Sequence, residues 1–328
     1  MIPAILEIVA GVALLYFGAE FLVRGGVRIA TGLGVTPLVI GLTLVAFATS
    51  APELVVSVTG ALRGSGDLAV GNVVGSNICN IALILGATAL LSPLPVRSQL
   101  LRFDMPLLLA VSVVFAVIGW GCGGIGRIPG GIFLLGLITY TVWSVRSARR
   151  EAAADIRLEQ EQELELEELC GGDCRASGVS AVLAAFGLAL LGLAMLVGGG
   201  YWFVVGASEI GRVCGLSEAV IGLTIVSVGT SLPEFATSLV AALRKESDIA
   251  IGNVIGSNLF NILCIMGVAP LVTPLHSSGI LPADWGMMIF LAALLYLFMG
   301  TGKRISRGEG GVLLAIFIGY TGYLIWRS

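Results

Sequence analysis

Residues 39–81 read VIGLTLVAFATSAPELVVSVTGALRGSGDLAVGNVVGSNICNI, and residues 220–262 read VIGLTIVSVGTSLPEFATSLVAALRKESDIAIGNVIGSNLFNI. The two stretches align without a gap at a constant offset of 181, and 24 of the 43 aligned pairs are identical. Similarity at a fixed offset over this length is the mark of an internal repeat. The chain therefore contains two copies of one structural unit.

The composition of the chain places both copies in a membrane. Of its 328 residues 57% are hydrophobic and 12% are charged, and the mean hydropathy is +1.00. An average globular protein has about 25% charged residues, so this chain has too few to coat a soluble surface. Apolar runs of 18 or more residues predict transmembrane helices. A soluble enzyme and a disordered scaffold are both excluded.

The apolar runs predict an all-α membrane protein with ten transmembrane helices. Their approximate bounds are 3–23, 36–61, 68–91, 104–122, 128–146, 178–200, 217–243, 249–271, 282–300 and 309–326. Glu53 and Glu234, which are equivalent in the repeat, are five spans apart, and an odd number of spans reverses the direction of the chain. We therefore predict two inverted five-helix repeats, residues 1–150 and 178–328, joined by an acidic loop at 151–177.

The distribution of Lys and Arg predicts the orientation of these spans. If the loops alternate between the two sides, 14 of the 18 basic residues fall on one side and 4 on the other. The positive-inside rule then makes the 147–177 loop cytoplasmic and both termini external, in a multi-pass protein of the inner (plasma) membrane. The net charge of −3 and the scattered basic residues argue against a nucleic-acid partner. The expected partners are the lipid bilayer and small ions, and we expect a monomer.

The cytoplasmic loop has an unusual acidic segment. Residues 151–168 contain eight acids and one arginine, Arg157, with leucines between them. A solvated amphipathic helix or a flexible linker is one interpretation. The other interpretation is a regulatory segment that attracts or binds cations.

Each copy of the repeat contains the order T-S-x-P-E. These residues are Thr49, Ser50, Pro52 and Glu53 in the first copy and Thr230, Ser231, Pro233 and Glu234 in the second. A proline inside a helix frees the carbonyl four residues earlier, here that of Ala48 or Gly229. An unpaired carboxylate at the membrane centre costs about 2.5–3.5 kcal/mol on insertion scales, and the deep part of neither copy has a Lys or Arg. The two glutamates therefore predict bound cations or protons.

The next helix of each copy contains the order G-N-x-x-G-S-N-x-x-N. Its polar residues are Asn72, Ser76, Asn77 and Asn80 in the first copy and Asn253, Ser257, Asn258 and Asn261 in the second. Ser76 and Asn80 are one helical turn apart, as are Ser257 and Asn261, so each pair offers two neutral oxygens on one face. Packing between helices is the alternative role for such residues. Calcium takes 6–8 oxygen ligands at roughly 2.3–2.6 Å, and the two motifs together can supply them.

The paired motifs resemble the alpha repeats of the calcium/cation antiporter superfamily, in its prokaryotic sodium/calcium exchanger branch. The resemblance implies a fold in which the second, third, seventh and eighth helices enclose the ions, while the first and sixth slide as a gate. It also implies that Glu53 and Glu234 bind calcium together with the carbonyls of Thr49 and Thr230. The sodium ligands that it implies are Ser50, Ser231, Ser76, Ser257, the hydroxyls of Thr49 and Thr230, and the carbonyls of Ala46 and Ser227.

The chain departs from the family at Asn261, where many members have an aspartate. Because Asn80 and Asn261 are both neutral, the predicted site has two carboxylates. Two negative charges balance one Ca²⁺, two Na⁺ or two protons, whereas three Na⁺ would leave a charge of +1. The coupling ion and the stoichiometry therefore remain open at this point.

We interpret the sequence as a secondary antiporter that exports Ca²⁺ in exchange for Na⁺, with a Ca²⁺/H⁺ or other cation-coupled exchanger as the alternative. Such a protein is not an enzyme and needs no cofactor besides the transported ions. Two other classes fit less well. The G-x-G-D at residues 64–67, which occurs in intramembrane proteases, has no glycines at its repeat partner, residues 245–248. A passive channel needs no inverted pair of binding motifs.

Overall fold

A computed structural model describes residues 2–166, 179–214 and 227–327 of the chain. The α-helices are α1 (Ile2–Leu33), α2 (Pro37–Ile40), α3 (Ala46–Thr49), α4 (Ala51–Leu62), α5 (Gly66–Cys79), α6 (Gly86–Leu91), α7 (Met105–Gly121), α8 (Arg127–Leu166), α9 (Val179–Val213), α10 (Ser227–Thr230), α11 (Leu232–Leu243), α12 (Ser247–Phe260), α13 (Met266–Val272), α14 (Pro282–Gly300) and α15 (Arg307–Arg327). Four π-helical segments, Gly41–Val45, Asn80–Leu85, Leu100–Asp104 and Asn261–Ile265, are continuous with them. The strands are β1 (Leu94–Pro95), β2 (Gly124–Ile125), β3 (Leu275–His276) and β4 (Arg304–Ile305).

The predicted all-α membrane architecture is confirmed. Within the described ranges, eight helices are long and apolar enough to cross a membrane, and the bent pair formed by Pro37–Thr49 and Ala51–Leu62 would be a ninth. The predicted span at 217–243 begins outside the described residues. The last part of the acidic loop, residues 167–177, also lies outside them. The count of ten therefore remains a prediction.

Three helices are longer than the hydropathy predicted. α8 continues to Leu166 instead of ending near residue 146, so it extends into the predicted acidic loop. α1 continues to Leu33 instead of ending near residue 23, and α9 continues to Val213 instead of ending near residue 200. Arg24 does not end α1, because its guanidinium pairs with Glu20 one turn earlier. Half of the Arg24 side chain remains exposed, as expected for a long basic residue that reaches towards water from a membrane helix.

Two small β-ribbons among the described residues connect the two halves of the molecule. β1 pairs with β4 and β2 pairs with β3, both antiparallel, so each ribbon joins a loop of one half to a loop of the other. Near β1, Arg97 forms an ion pair with Asp248 at 2.6 Å, and near β3 the N–H of Gly279 donates to Asp67 at 2.8 Å. Asp67 and Asp248 are equivalent at the offset of 181. The same repeat position therefore contacts a different ribbon region in each half, as expected for inverted copies.

The longest interhelical contact joins α1 to α9. Both helices carry glycines seven residues apart, and the two sets are equivalent at the offset of 181: Gly11, Gly18 and Gly25 on α1 and Gly192, Gly199 and Gly206 on α9. A Cβ atom on Gly18 would lie 2.8 Å from the carbonyl oxygen of Gly192, and a Cβ on Gly192 would lie 2.6 Å from that of Gly18. The helices therefore touch backbone to backbone, a contact that only small residues permit in a membrane.

The asparagine-rich motif of each copy lies on the most buried candidate spans. The segments Gly66–Leu91 and Ser247–Val272 are 78% and 89% buried, whereas the other candidate spans are 11–39% buried. A span of this kind is enclosed by protein instead of lipid. The centre of the molecule is therefore where polar side chains can be accommodated.

Candidate ion-binding site

The helix that carries each glutamate is broken one turn before it. The first break is at Ser50 (φ −84°, ψ 7°), where the chain bends by 47°, and the second is at Ser231 (φ −89°, ψ 5°). A proline follows in the first turn of α4 and of α11, since its missing N–H is tolerated there. Glu53 and Glu234 lie in the same first turns, where the amide groups and the helix dipole favour negative charge.

The two carboxylates are held across the repeat boundary. The Ser50 hydroxyl donates to Oε1 of Glu234 at 2.9 Å, and the Ser231 hydroxyl donates to Oε1 of Glu53 at 3.3 Å. Each glutamate is 1% exposed. Among the described residues, no group donates a hydrogen bond to the second oxygen, Oε2, of either glutamate. Two buried carboxylate oxygens without donors are the kind of ligand that a cation needs.

An asparagine on the neighbouring helix positions the backbone of each glutamate. Nδ2 of Asn72 donates to the Glu53 carbonyl oxygen at 3.2 Å and to the Ser57 hydroxyl at 2.9 Å. The second copy repeats the arrangement at 3.3 and 2.9 Å with Asn253, Glu234 and Ser238. Neither Asn72 nor Asn253 is among the ligands predicted from the sequence, although both belong to the repeated motif.

Four further asparagines form two pairs between the repeats. Nδ2 of Asn80 donates to Oδ1 of Asn258 at 3.1 Å, and Nδ2 of Asn261 donates to Oδ1 of Asn77 at 3.0 Å. All four side chains are buried, and within the part of the chain that the structure describes no group donates to Oδ1 of Asn80 or of Asn261. Asn80 and Asn261 begin π-helical segments, which are frequent at functional sites.

Thr49 lies among polar groups from both halves. Its hydroxyl is 3.1 Å from Oδ1 of Asn253, 3.4 Å from the carbonyl oxygen of Ala46 and 3.5 Å from the Ser257 hydroxyl. The Ala46 carbonyl also accepts the N–H of Ser50 at 3.0 Å. These contacts bring the first copy of T-S-x-P-E against the second copy of the asparagine-rich motif.

The structure brings together most of the side chains that the sequence singled out. Those with contacts across the two repeats are Glu53, Glu234, Ser50, Ser231, Thr49, Ser257, Asn80 and Asn261. Ser76 is buried one turn before Asn80, and Thr230 is half-buried at the end of α10. Ser227 begins α10, and its side chain lies outside the described part.

The donor set consists of oxygens. In the ranges that the structure covers, no three His, Cys, Asp or Glu side chains come together as a metal cluster. A cation here would therefore be held by two carboxylates and by neutral hydroxyl, amide and carbonyl oxygens. Such a set suits a hard ion such as Ca²⁺ or Na⁺ and not a soft transition metal.

Comparison with known proteins points to the same chemistry. A family model described as sodium/calcium exchanger protein matches residues 3–146 and 184–326. The chain is 39% identical over 336 residues to the putative antiporter CaxA of Alkalimonas amylolytica, covering 100% of both chains, and 31% identical to the sodium/calcium exchanger MaX1 of Methanosarcina acetivorans, covering 96% of both. It also resembles a solved structure of the sodium-calcium exchanger NCX_Mj, with a TM-score of 0.82, 31% identity and 98% coverage of both chains.

Proposed function

This chain belongs to the sodium/calcium exchanger protein family, and from that premise we propose that it exports Ca²⁺ from the cytoplasm in exchange for Na⁺ by alternating access. Its family and fold are those of cation/calcium antiporters and not of enzymes. The transported ions bind near the midplane between residues 1–150 and 178–328. The termini are external, and the loop around 151–177 is cytoplasmic.

The observation that carries this proposal is the reciprocal pair of hydrogen bonds from Ser50 to Glu234 and from Ser231 to Glu53. Each links a broken helix of one inverted copy to the carboxylate of the other. A cation bound by both glutamates would contact both halves at once. Movement of one half against the other could then expose the same site to either side of the membrane, as inverted-repeat transporters do.

The proposed ligands follow from the donor set. Ca²⁺ binds Glu53 and Glu234 together with the carbonyls of Thr49 and Thr230, and Asn80 and Asn261 contribute amide oxygens. Na⁺ uses smaller groups of neutral oxygens around the same carboxylates. The remaining proposed ligands are Ser50, Ser231, Ser76, Ser257, the hydroxyls of Thr49 and Thr230, and the carbonyls of Ala46 and Ser227.

A Ca²⁺/H⁺ exchanger is the second candidate, and one observation favours it. The carboxylates of Glu53 and Glu234 are the two charged groups of the site, and no basic side chain hydrogen-bonds to either of them in the described structure. Two protons would neutralise this pair as completely as one Ca²⁺ would. The antiporter name of CaxA leaves the coupling ion open in that relative.

The test is calcium flux in reconstituted vesicles. Vesicles loaded with Na⁺ and diluted into Na⁺-free buffer with labelled Ca²⁺ should accumulate calcium, and collapse of the sodium gradient should stop uptake. A pH gradient imposed in Na⁺-free buffer tests the second candidate. Uptake that persists unchanged without a sodium gradient would refute sodium coupling, and E53Q vesicles provide the inactive control.

A further inference from the structure

In both asparagine pairs the hydrogen bond runs in the same sense, from the proposed ligand to its partner. In each pair the NH₂ group of the proposed ligand, Asn80 or Asn261, is bonded to the oxygen of its partner, Asn258 or Asn77. Since an amide has its oxygen and its nitrogen on opposite sides, this bond turns the ligand oxygen away from the partner. That oxygen is the one that is buried and without a donor in both ligands.

The elements that carry these oxygens pack against the helices that carry the glutamates. The π-helical segment that begins at Asn80 packs against α11, which carries Glu234 in its first turn, and the segment that begins at Asn261 packs against α4, which carries Glu53. Each of these two contacts joins elements that carry one carboxylate oxygen and one amide oxygen, both buried and without a donor among the described residues. Several acceptors gathered away from water are stabilised by a bound cation.

The partner asparagines are themselves held in place. Nδ2 of Asn77 faces the sulfur of Met288 on α14 at 3.9 Å, so its oxygen is the end left for Asn261. Asn258 is 0% exposed in α12, and its Nδ2 has no hydrogen-bond partner among the described residues, so close packing alone holds its side chain. If either partner were reversed, it would donate to the ligand oxygen, and the ligand would present an NH₂ group that repels a cation.

We propose that Asn77 and Asn258 are positioning residues, which hold the amides of Asn261 and Asn80 with their oxygens towards the transported cation. They set the polarity of the site without binding the ion. This inference rests on the proposed function, because it assumes that Asn80 and Asn261 are cation ligands. It assigns a role to two residues that the motif contains and that carry no charge.

The experiment is a double-mutant cycle read by calcium binding. Purified protein in lipid nanodiscs is titrated with Ca²⁺ by calorimetry as wild type, N258L, N80L and the N80L/N258L double variant. Leu has a similar volume but no acceptor, so N258L should weaken binding roughly 10-fold or more, as the loss of a ligand-orienting group often does at metal sites. In the N80L background N258L should add less than about 2-fold, since its target is already gone. N77L and N261L provide the same cycle in the other half.

The outcomes separate this inference from the proposed function. N258D keeps an oxygen acceptor for Asn80 and should bind Ca²⁺ at least as tightly as wild type. Wild-type affinity in both N258L and N77L, or effects that add fully to those of N80L and N261L, would overturn the positioning role while leaving the exchanger intact. If wild type binds no Ca²⁺, or if E53Q binds Ca²⁺ as tightly as wild type, the proposed site itself is refuted. Size-exclusion profiles identify a variant that fails to fold, in which case N258A and N77A replace the leucine changes.

Discussion

The hydroxyl of Ser50 donates to the carboxylate of Glu234 at 2.9 Å, although the two residues are 184 positions apart. Its counterpart, from Ser231 to Glu53, spans 178 positions and is 3.3 Å long. The two bonds join equivalent residues of the repeat, with the roles of the two copies exchanged. Each serine also marks the break in its own helix. The helix breaks and the carboxylates are therefore parts of one arrangement.

Removing either hydroxyl should weaken calcium binding. A hydrogen bond to a charged group contributes about 1.5–3 kcal/mol, so we expect S50A or S231A to raise the half-saturating Ca²⁺ concentration for transport about 10-fold. The measurement is the initial rate of labelled Ca²⁺ uptake at a series of concentrations. S112A, which removes a buried hydroxyl on α7, is the control. An unchanged concentration dependence in both S50A and S231A would contradict the proposed role of these bonds.

Neutralising a glutamate should make the ion-free protein more stable and insensitive to calcium. Glu53 and Glu234 are buried, and no basic side chain in the described ranges pairs with them, so E53Q or E234Q removes a charge that is costly in the membrane interior. We expect a higher melting temperature than wild type in Ca²⁺-free buffer. Added Ca²⁺ at 100 times the dissociation constant should stabilise wild type by about 2.7 kcal/mol and leave both variants unchanged. A calcium-dependent shift that survives in E53Q would argue against this carboxylate as a ligand.

Exchange should be independent of the membrane potential. The site balances two positive charges, because it contains two carboxylates and otherwise neutral donors. One Ca²⁺ exchanged for two Na⁺ or two protons moves no net charge, whereas each extra charge would couple to the potential by about 2.3 kcal/mol per 100 mV. The measurement is uptake into vesicles at potentials set with K⁺ and valinomycin. Uptake that accelerates at inside-positive potential would indicate that more than two monovalent ions leave per Ca²⁺.

Filling the contact between α1 and α9 should destabilise the protein. A methyl group on Gly192 would lie 2.6 Å from the backbone of α1, so G192A must push the helices apart. Overpacking of this kind costs about 1–3 kcal/mol. G198A on the same helix is the matched control, since a Cβ there meets no atom within 4 Å. Equal melting temperatures for G192A and G198A would show that the close approach does not exist in the membrane.

Removing Arg244 should weaken the contact between the middle of α1 and the end of α11. Arg244 contacts both oxygens of Glu20, at 2.6 and 2.8 Å, and the Glu20 side chain is 6% exposed while that of Arg244 is 49% exposed. Because the arginine is half in solvent, we expect R244Q to cost about 1 kcal/mol instead of the larger loss seen for fully buried pairs. R63Q, at the equivalent exposed position of the first repeat, should change the melting temperature much less. If R244Q and R63Q lower the melting temperature equally, the effect does not come from the ion pair between Arg244 and Glu20.

The sequence by itself determined the class of protein, and it predicted where the chemistry lies. Hydropathy identified the membrane helices, and the repeat at an offset of 181 predicted two inverted copies and singled out Glu53 and Glu234. These properties are local or periodic, so they are visible in a single chain. Hydropathy placed the ends of α1, α8 and α9 too early, and in α1 the helix continues past Arg24, which pairs with Glu20.

Only the tertiary structure decided which residues meet. A repeat states that two copies are alike, but it does not state that Ser50 contacts Glu234 or that Asn80 contacts Asn258. Nor could spacing reveal the π-helical segments at Asn80 and Asn261, because they interrupt the regular period of the helix. These contacts join residues about half a chain apart. They arise from the packing of one inverted copy against the other, which no local pattern in either copy encodes.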